Sequence, residues 1–334
     1  MTSTTVRRRL IPLAAVAALA TLLSACSGAA AAPSAESDGG VELPRVSTVV
    51  SYPALPSGIE QGLFDDAFGG DASDMSITYV ASGPDGVQSL IGGHTDIVIG
   101  GYDPGVSLNK DIRVLGLTEV SPETHTVLVK PDSNIADIDD LEGATVGGFS
   151  TTLPPFLALY LENEGKDQDY LDYIQVPNDG GLSALSSGAI DAWYTWDPFF
   201  AQAEIQDLAK PIVTGDEFFL NPIVVYTTQQ YIDDHTDSLV AFLEGYIAST
   251  DWVNANTDAA RDYMAEATGM TPEAAEITIA RRHYEVVIPD ADAIEWMQHI
   301  GELQRDSGLI TDAPDLETVI NTSVLEQALG NAES

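Results

Sequence analysis

Apolar runs rich in β-branched and aromatic residues alternate with helical patterns over most of this chain, and no other feature limits its fold as strongly. Val46 to Tyr52, Ser76 to Ala81, Asp96 to Gly100 and Ile112 to Thr118 read as strands, with helices between most of them. A second series follows at Thr126 to Lys130, Ala144 to Gly148, Tyr173 to Val176 and Asp191 to Trp196. The chain then returns through Ile223 to Thr227 and finishes mostly helical, from about Asp237 to Leu329. Such alternation specifies an α/β chain whose parallel sheets are flanked by helices. A body of about 290 residues from Arg45 onward exceeds what one hydrophobic core usually serves, which predicts two lobes.

An internal echo supports two similar lobes. Gly86, Leu90, Gly93 and Asp96 recur at identical spacing as Gly181, Leu185, Gly188 and Asp191. Each set reads as a helix that presents leucine to a sheet, stops at glycine, turns, and enters a strand after an aspartate. Two equivalent α/β units would place a crevice where the carboxyl ends of their sheets face each other.

The N-terminus has the layout of a signal peptide. Arg7, Arg8 and Arg9 precede an apolar run from Leu10 to Ala25, which contains Pro12 and is too short for a permanent membrane span. The run ends in Leu23-Ser24-Ala25-Cys26, similar to the bacterial lipobox, in which the cysteine is acylated and becomes the first residue. Residues 1–25 are therefore expected to be removed. Cys26 is the single cysteine, so disulfides are excluded. Residues 26–44, small, polar and proline-bearing, read as a lipidated cysteine and a flexible tether.

Net charge excludes several partners. The full chain carries −39, and loss of the three signal arginines takes the mature part to −42. Nucleic acid is a poor partner for such a body, and attachment to an anionic membrane must come from the lipid. A solvated surface suited to a salty or acidic habitat accounts for the acid excess. Hydrophobic residues make up 44% of the chain, which places it among folded proteins.

Enzyme chemistry finds little support in the motifs. His94, His125, His235, His283 and His299 show no paired-ligand spacing, so no metal is expected. Gly148-Phe149-Ser150-Thr151-Thr152 begins like a nucleophile elbow but has Thr152 in place of the second glycine. No P-loop and no G-x-G-x-x-G follows a strand, so no nucleotide cofactor is implied, and no cofactor of any kind is expected.

The segment Ala184-Leu185-Ser186-Ser187-Gly188-Ala189-Ile190-Asp191-Ala192-Trp193-Tyr194-Thr195-Trp196-Asp197-Pro198 carries a family resemblance. Gly62-Leu63-Phe64, Asp140-Leu141-Glu142-Gly143, Ala280-Arg281-Arg282 and Gly308-Leu309-Ile310 support it. The chain resembles the solute-binding lipoproteins of the nitrate, taurine and aliphatic sulfonate class of ABC importers. That resemblance implies a two-lobed type II periplasmic-binding-protein fold with a ligand crevice between the lobes. It implies capture of one small organic anion or zwitterion, an aliphatic sulfonate or taurine-like compound being favoured, by closure about hinge crossings near Pro122 and Asn221, then delivery to a permease and its ATPase subunits. The expected lobes are 45–122 plus 223–334, and 123–222. An extracytoplasmic, lipid-anchored monomer without enzyme activity is expected. Nitrate, bicarbonate or a thiamine pyrimidine precursor are alternative solutes, and a pyrimidine-precursor enzyme or a sensory lipoprotein are alternative functions.

A chain so poor in basic residues can still hold an anion at helix N-termini, where unpaired N–H groups and the helix dipole favour negative charge. Three strand-to-helix junctions qualify: Ser82 and Gly83, Tyr102 and Asp103, and Ser150, Thr151 and Thr152. Tyr52, Tyr102 and Trp196 are expected to line the crevice and cover the apolar part of a solute. Asp103 and Asp197 would pair with an ammonium if the solute is zwitterionic. Asp197 also reads as a helix N-cap followed by Pro198.

Overall fold

The computed structural model of the protein describes residues 40–107 and 109–332, together with 35 and 36. The expected signal peptide, Cys26 and most of the expected tether lie outside the described residues.

Eleven strands build two sheets. In chain order they are β1 (Val46–Val49), β2 (Ile77–Val80), β3 (Ile97–Gly101), β4 (Ile112–Val120), β5 (His125–Val129), β6 (Thr145–Gly148), β7 (Asp172–Gln175), β8 (Ala192–Trp196), β9 (Lys210–Thr214), β10 (Pro222–Thr228) and β11 (Tyr284–Val287). A short ribbon pairing Ala35–Glu36 with Glu42–Leu43 precedes them. The first sheet has the order β11-β4-β10-β3-β1-β2 and the second β9-β5-β8-β6-β7. β1 runs parallel to β2 and β3, whereas β10 is antiparallel to both β3 and β4. In the second sheet β6 runs parallel to β7 and β8, while β5 is antiparallel to β8 and β9.

Both sheets are covered on two faces, so their central strands are apolar on both sides and alternate between cores. On β3, Ile97 and Ile99 join a core with Leu55, Phe64 and Phe242, while Val98 points to Val87, Leu90 and Met297. On β8, Tyr194 packs with Phe156 and Val127, while Trp193 packs with Leu185 and Phe200 on the opposite face. Helices Gly83–Ile91, Pro155–Asn163, Asn178–Ser187 and Thr236–Ala255 supply most of the covering layers.

The repeat read from sequence is a structural equivalence. Asp96 Oδ2 accepts from the Arg45 amide at 2.8 Å, and Asp191 Oδ2 accepts from the Thr145 amide at 2.9 Å. Each aspartate thereby pins its strand to the start of the parallel strand beside it, β1 in the first sheet and β6 in the second. Gly93 and Gly188 both turn with positive φ, at 69° and 75°, as the helix-to-strand turn requires. A Cβ on Gly86 would lie 2.6 Å from Val98, two residues past Asp96, and one on Gly181 would lie 2.1 Å from Trp193, two residues past Asp191. In both units the helix approaches its strand closely at the same register.

Three expectations need correction. The first strand stops at Val49 rather than Tyr52, because its pairing with β2 ends at Val80 and residues 50–52 turn, with the Tyr52 amide donating to Val49. β9 was not legible in the sequence, and the helical C-terminal part contains a strand, β11, that adds to the edge of the first sheet. Helix Ala291–Asp306 serves both cores: Ala293 and Met297 pack with Val98 and Tyr226, and Ile300 packs with Val127 and Phe156.

Two stretches carry the chain between the sheets, 121–124 and 215–221. They are bound together by Asn221, whose Nδ2 donates to the Ser121 carbonyl and to Thr124 Oγ1, each at 3.0 Å. A Cβ on Gly215 would lie 2.3 Å from the Pro122 carbonyl oxygen, so backbone touches backbone there.

Candidate functional site

A cleft of about 470 Å³ opens where the two sheets face each other, within the roughly 300–1,000 Å³ usual for small-molecule sites. All of the expected residues line it except Thr151: Tyr52, Ser82, Gly83, Tyr102, Asp103, Ser150, Thr152, Trp196 and Asp197. The loops after β2 and β3 meet at its floor. Gly83 and Gly100 allow this, since a Cβ on Gly100 would stand 2.7 Å from the Gly83 Cα.

The three helix N-termini differ in what they offer. Ser82 does not cap helix Gly83–Ile91; its hydroxyl donates to Asp85 Oδ2 at 2.7 Å. Pro84 has no N–H to give, and Ser82 offers no side-chain acceptor to the other first-turn amides. Asp103 Oδ1 accepts from the Gly105 amide at 2.7 Å, closing its own turn ahead of the short helix Pro104–Ser107. The third junction is a correction. Helix Pro155–Asn163 has Pro154 as its N-cap and Pro155 as its first residue, and neither has an N–H to give. The Ser150 hydroxyl is turned to the Thr152 carbonyl at 2.6 Å and lies 3.0 Å from Tyr173 Oη.

Asp197 is wholly buried, and its carboxylate serves the fold. Oδ1 accepts from the Ala201 amide at 2.9 Å, and Arg281 Nη1 reaches Oδ1 at 3.2 Å; the expected N-cap position is corrected by one residue, since helix Phe199–Ile205 has Pro198 as its N-cap and Asp197 stands just before it. Burial raises its pKa above the usual aspartate value, opposed by Arg281. Arg281 also bonds Glu204 and stacks on Phe200, its Cζ 3.8 Å from the ring centroid.

Sequence reasoning missed most of one wall. His125 stands at the start of β5 with its ring 5.7 Å from Trp196, 6.0 Å from Phe156 and 5.1 Å from Phe219. Its Nδ1 lies 2.8 Å from Tyr194 Oη. Burial, reinforced by the nearby Arg282 charge, pushes its pKa down to about 3, so it is a neutral hydrogen-bonding group at ordinary pH. Phe149 meets Trp196 edge-on at 4.7 Å and 87° and remains 41% exposed. The strand period was the available signal for Tyr194, because Tyr194 and Trp196 share one face of β8.

Arg282 was missed as a lining residue. Its Nη1 donates to both carboxylate oxygens of Glu119 at 2.9 Å, and both side chains are buried, at 5% and 3% exposure. Its Nε is buried without a hydrogen-bond partner. Tyr52 lies beneath, 4.9 Å from ring centroid to Cζ, its own pKa pushed up to about 12 by burial against the opposing pull of Arg282. Among the described residues no group of three or more His, Cys, Asp or Glu side chains is placed to hold a metal ion, and no helix is long and apolar enough to cross a membrane.

With this geometry in place, comparison with solved structures is decisive for the architecture. The periplasmic aliphatic sulphonate binding protein SsuA from Escherichia coli superposes with a TM-score of 0.76 at 17% identity, covering 83% of this chain and 91% of that one. The chain has the periplasmic-binding-protein fold. The alkanesulfonate-binding protein SsuA from Xanthomonas axonopodis, bound to MOPS, gives 0.72 at 18% identity over 83% of this chain and 97% of that chain. In sequence, the aliphatic sulfonates-binding protein of Bacillus subtilis (strain 168) is 23% identical over 275 residues, 81% of this chain and 83% of its own length. Residues 106–260 match the family described as NMT1/THI5 like. The resemblance read from residues 184–198 to solute-binding proteins of the sulfonate class is thus borne out. The binding-protein fold is also used by an enzyme, the desulfurization enzyme DSZB, with a TM-score of 0.64 at 18% identity over 86% of this chain and 99% of that chain.

Proposed function

We propose that this protein is the extracytoplasmic solute-binding component of an ABC importer, capturing a small organic anion, with an aliphatic sulfonate or a related compound as the favoured class. The observation that carries this reading is the cleft itself. It lies between two α/β units joined by two crossings and combines an uncapped helix N-terminus, the Arg282 guanidinium and a wall of aromatic rings. Names borne by the related proteins agree with it.

Ligand capture proceeds by closure of lobe 45–122 plus 223–334 onto lobe 123–222 about the crossings near Pro122 and Asn221. The closed form docks on permease subunits, because ligand shifts the population toward it. The Leu23-Ser24-Ala25-Cys26 motif anchors the monomeric chain to the membrane through acylated Cys26. The protein acts without turnover: the half-buried His125, its pKa held at about 3, is a poor base, and the two cleft carboxylates accept from backbone amides, Asp197 facing Arg281 as well.

A thermal-shift screen of the purified chain against alkanesulfonates, taurine, nitrate, bicarbonate and a thiamine pyrimidine precursor tests the assignment. A ligand at 100 times its dissociation constant stabilises by roughly 2.7 kcal/mol, an easily read shift. Sulfonates are expected to give it. Silence from every sulfonate, or a response to the pyrimidine alone, would overturn the reading.

A further inference from the structure

Resting on that sulfonate reading, we infer that the cleft selects an anion carrying an aromatic ring and no amine, with Arg282 as the residue that receives the head group. The charged side chains lining the cleft are Asp103, Asp197 and Arg282, alongside the neutral His125. Asp197 is fully buried and bound to Arg281 and the Ala201 amide, and Asp103 holds the Gly105 amide. An ammonium entering here finds both carboxylates already bound and a guanidinium nearby. An aminated solute such as taurine therefore gains less from its amine than from its oxyanion head group.

Arg282 suits an oxyanion. Glu119 takes Nη1 with both oxygens and so fixes the guanidinium plane, leaving Nε buried and without a partner. Arg282 is the cation among the residues lining the cleft, and a sulfonate or carboxylate meets there the donor fork that arginine offers to oxyanions.

The aromatic wall sets the rest of the solute. Phe149 leaves much of its ring in solvent while its edge-on contact holds Trp196, and His125 stacks behind Trp196 at an interplanar angle of 25°. The rings are thus braced, and their open surface fits another ring placed offset or edge-on. A small ion such as nitrate, or a short alkanesulfonate, leaves that surface wet.

Calorimetric titration of the purified full chain with benzenesulfonate, methanesulfonate, taurine and benzenesulfonamide tests the inference. Benzenesulfonate is expected to bind at least about tenfold more tightly than each of the others. Trp196→Ala should remove the advantage over methanesulfonate while leaving methanesulfonate binding unchanged. Arg282→Gln should weaken every sulfonate, and if that variant does not fold, the neutral sulfonamide of the same shape reads the head-group preference in the native chain. If no sulfonate binds, the functional reading itself falls. If methanesulfonate or taurine binds as tightly as benzenesulfonate, or better, the functional reading stands and the aromatic selectivity is wrong; if the sulfonamide matches benzenesulfonate, the role of Arg282 is wrong.

Discussion

Asn221 donates from Nδ2 to the Ser121 carbonyl at 3.0 Å, so the two chain crossings between the sheets are tied to each other by one side chain. The same residue sits at φ 47°, a left-handed conformation that asparagine tolerates better than most residues. Asn221→Ala loses both hydrogen bonds and adds backbone strain. It should lower stability by about 2–3 kcal/mol in urea titration. Asn221→Gly relieves the strain and should cost less; an equal loss in the two variants would show that the backbone conformation is immaterial.

Arg281 neutralises a carboxylate with no access to water. Arg281→Met leaves Asp197 uncompensated and should destabilise by about 3–5 kcal/mol, whereas Arg281→Met combined with Asp197→Asn should recover much of the loss. Additive losses in this double-mutant cycle would argue against the pair.

Neighbouring glycines in helix Asn178–Ser187 should behave oppositely. A Cβ on Gly180 meets nothing within 4 Å, while one on Gly181 meets the indole of Trp193 at 2.1 Å. Gly180→Ala is expected to stabilise by up to about 1 kcal/mol through helix propensity, and Gly181→Ala to destabilise by about 1–3 kcal/mol or more through overpacking. Melting temperatures of the two variants decide it.

His125 gives the fold a pH dependence. Its folded pKa, near 3, lies below its unfolded value of about 6.5, so only the unfolded chain takes up the proton as pH falls between them. Stability should therefore decline below about pH 6.5 by at most about 1.4 kcal/mol per pH unit from this residue. Urea titrations at pH 7, 6, 5 and 4 should show a shallower decline for His125→Asn than for the native chain. Parallel declines would remove His125 as the cause.

Much of the site was legible because its residues sit at ends of strands, where sequence periodicity places them. Trp196 and the Ser82-Gly83 turn could be read this way, and the Asp96 and Asp191 echo located both units. Phe149 and Arg282 could not be read as lining residues, and Asn221 was placed at a crossing only by the family resemblance, since nothing local marks them. Arg282 reaches the cleft through Glu119, 163 residues earlier in the chain, and Asn221 through Ser121, 100 residues earlier. β11 escaped notice because it lies within an otherwise helical stretch, and its edge pairing with β4 defines it.

The sequence by itself determined the alternation of strand and helix, the repeated glycine-aspartate turns and the signal-peptide layout, because hydrophobic period and turn chemistry are local properties. Tertiary structure alone decided which charges are spent and which donors are left over. Asp197 read as a possible ligand group until burial and Arg281 claimed it, and Arg282 gained its place in the cleft only when Glu119 took one side of its guanidinium. Desolvation and pairing depend on neighbours far away in the chain, and those neighbours exist only once the sheets have assembled.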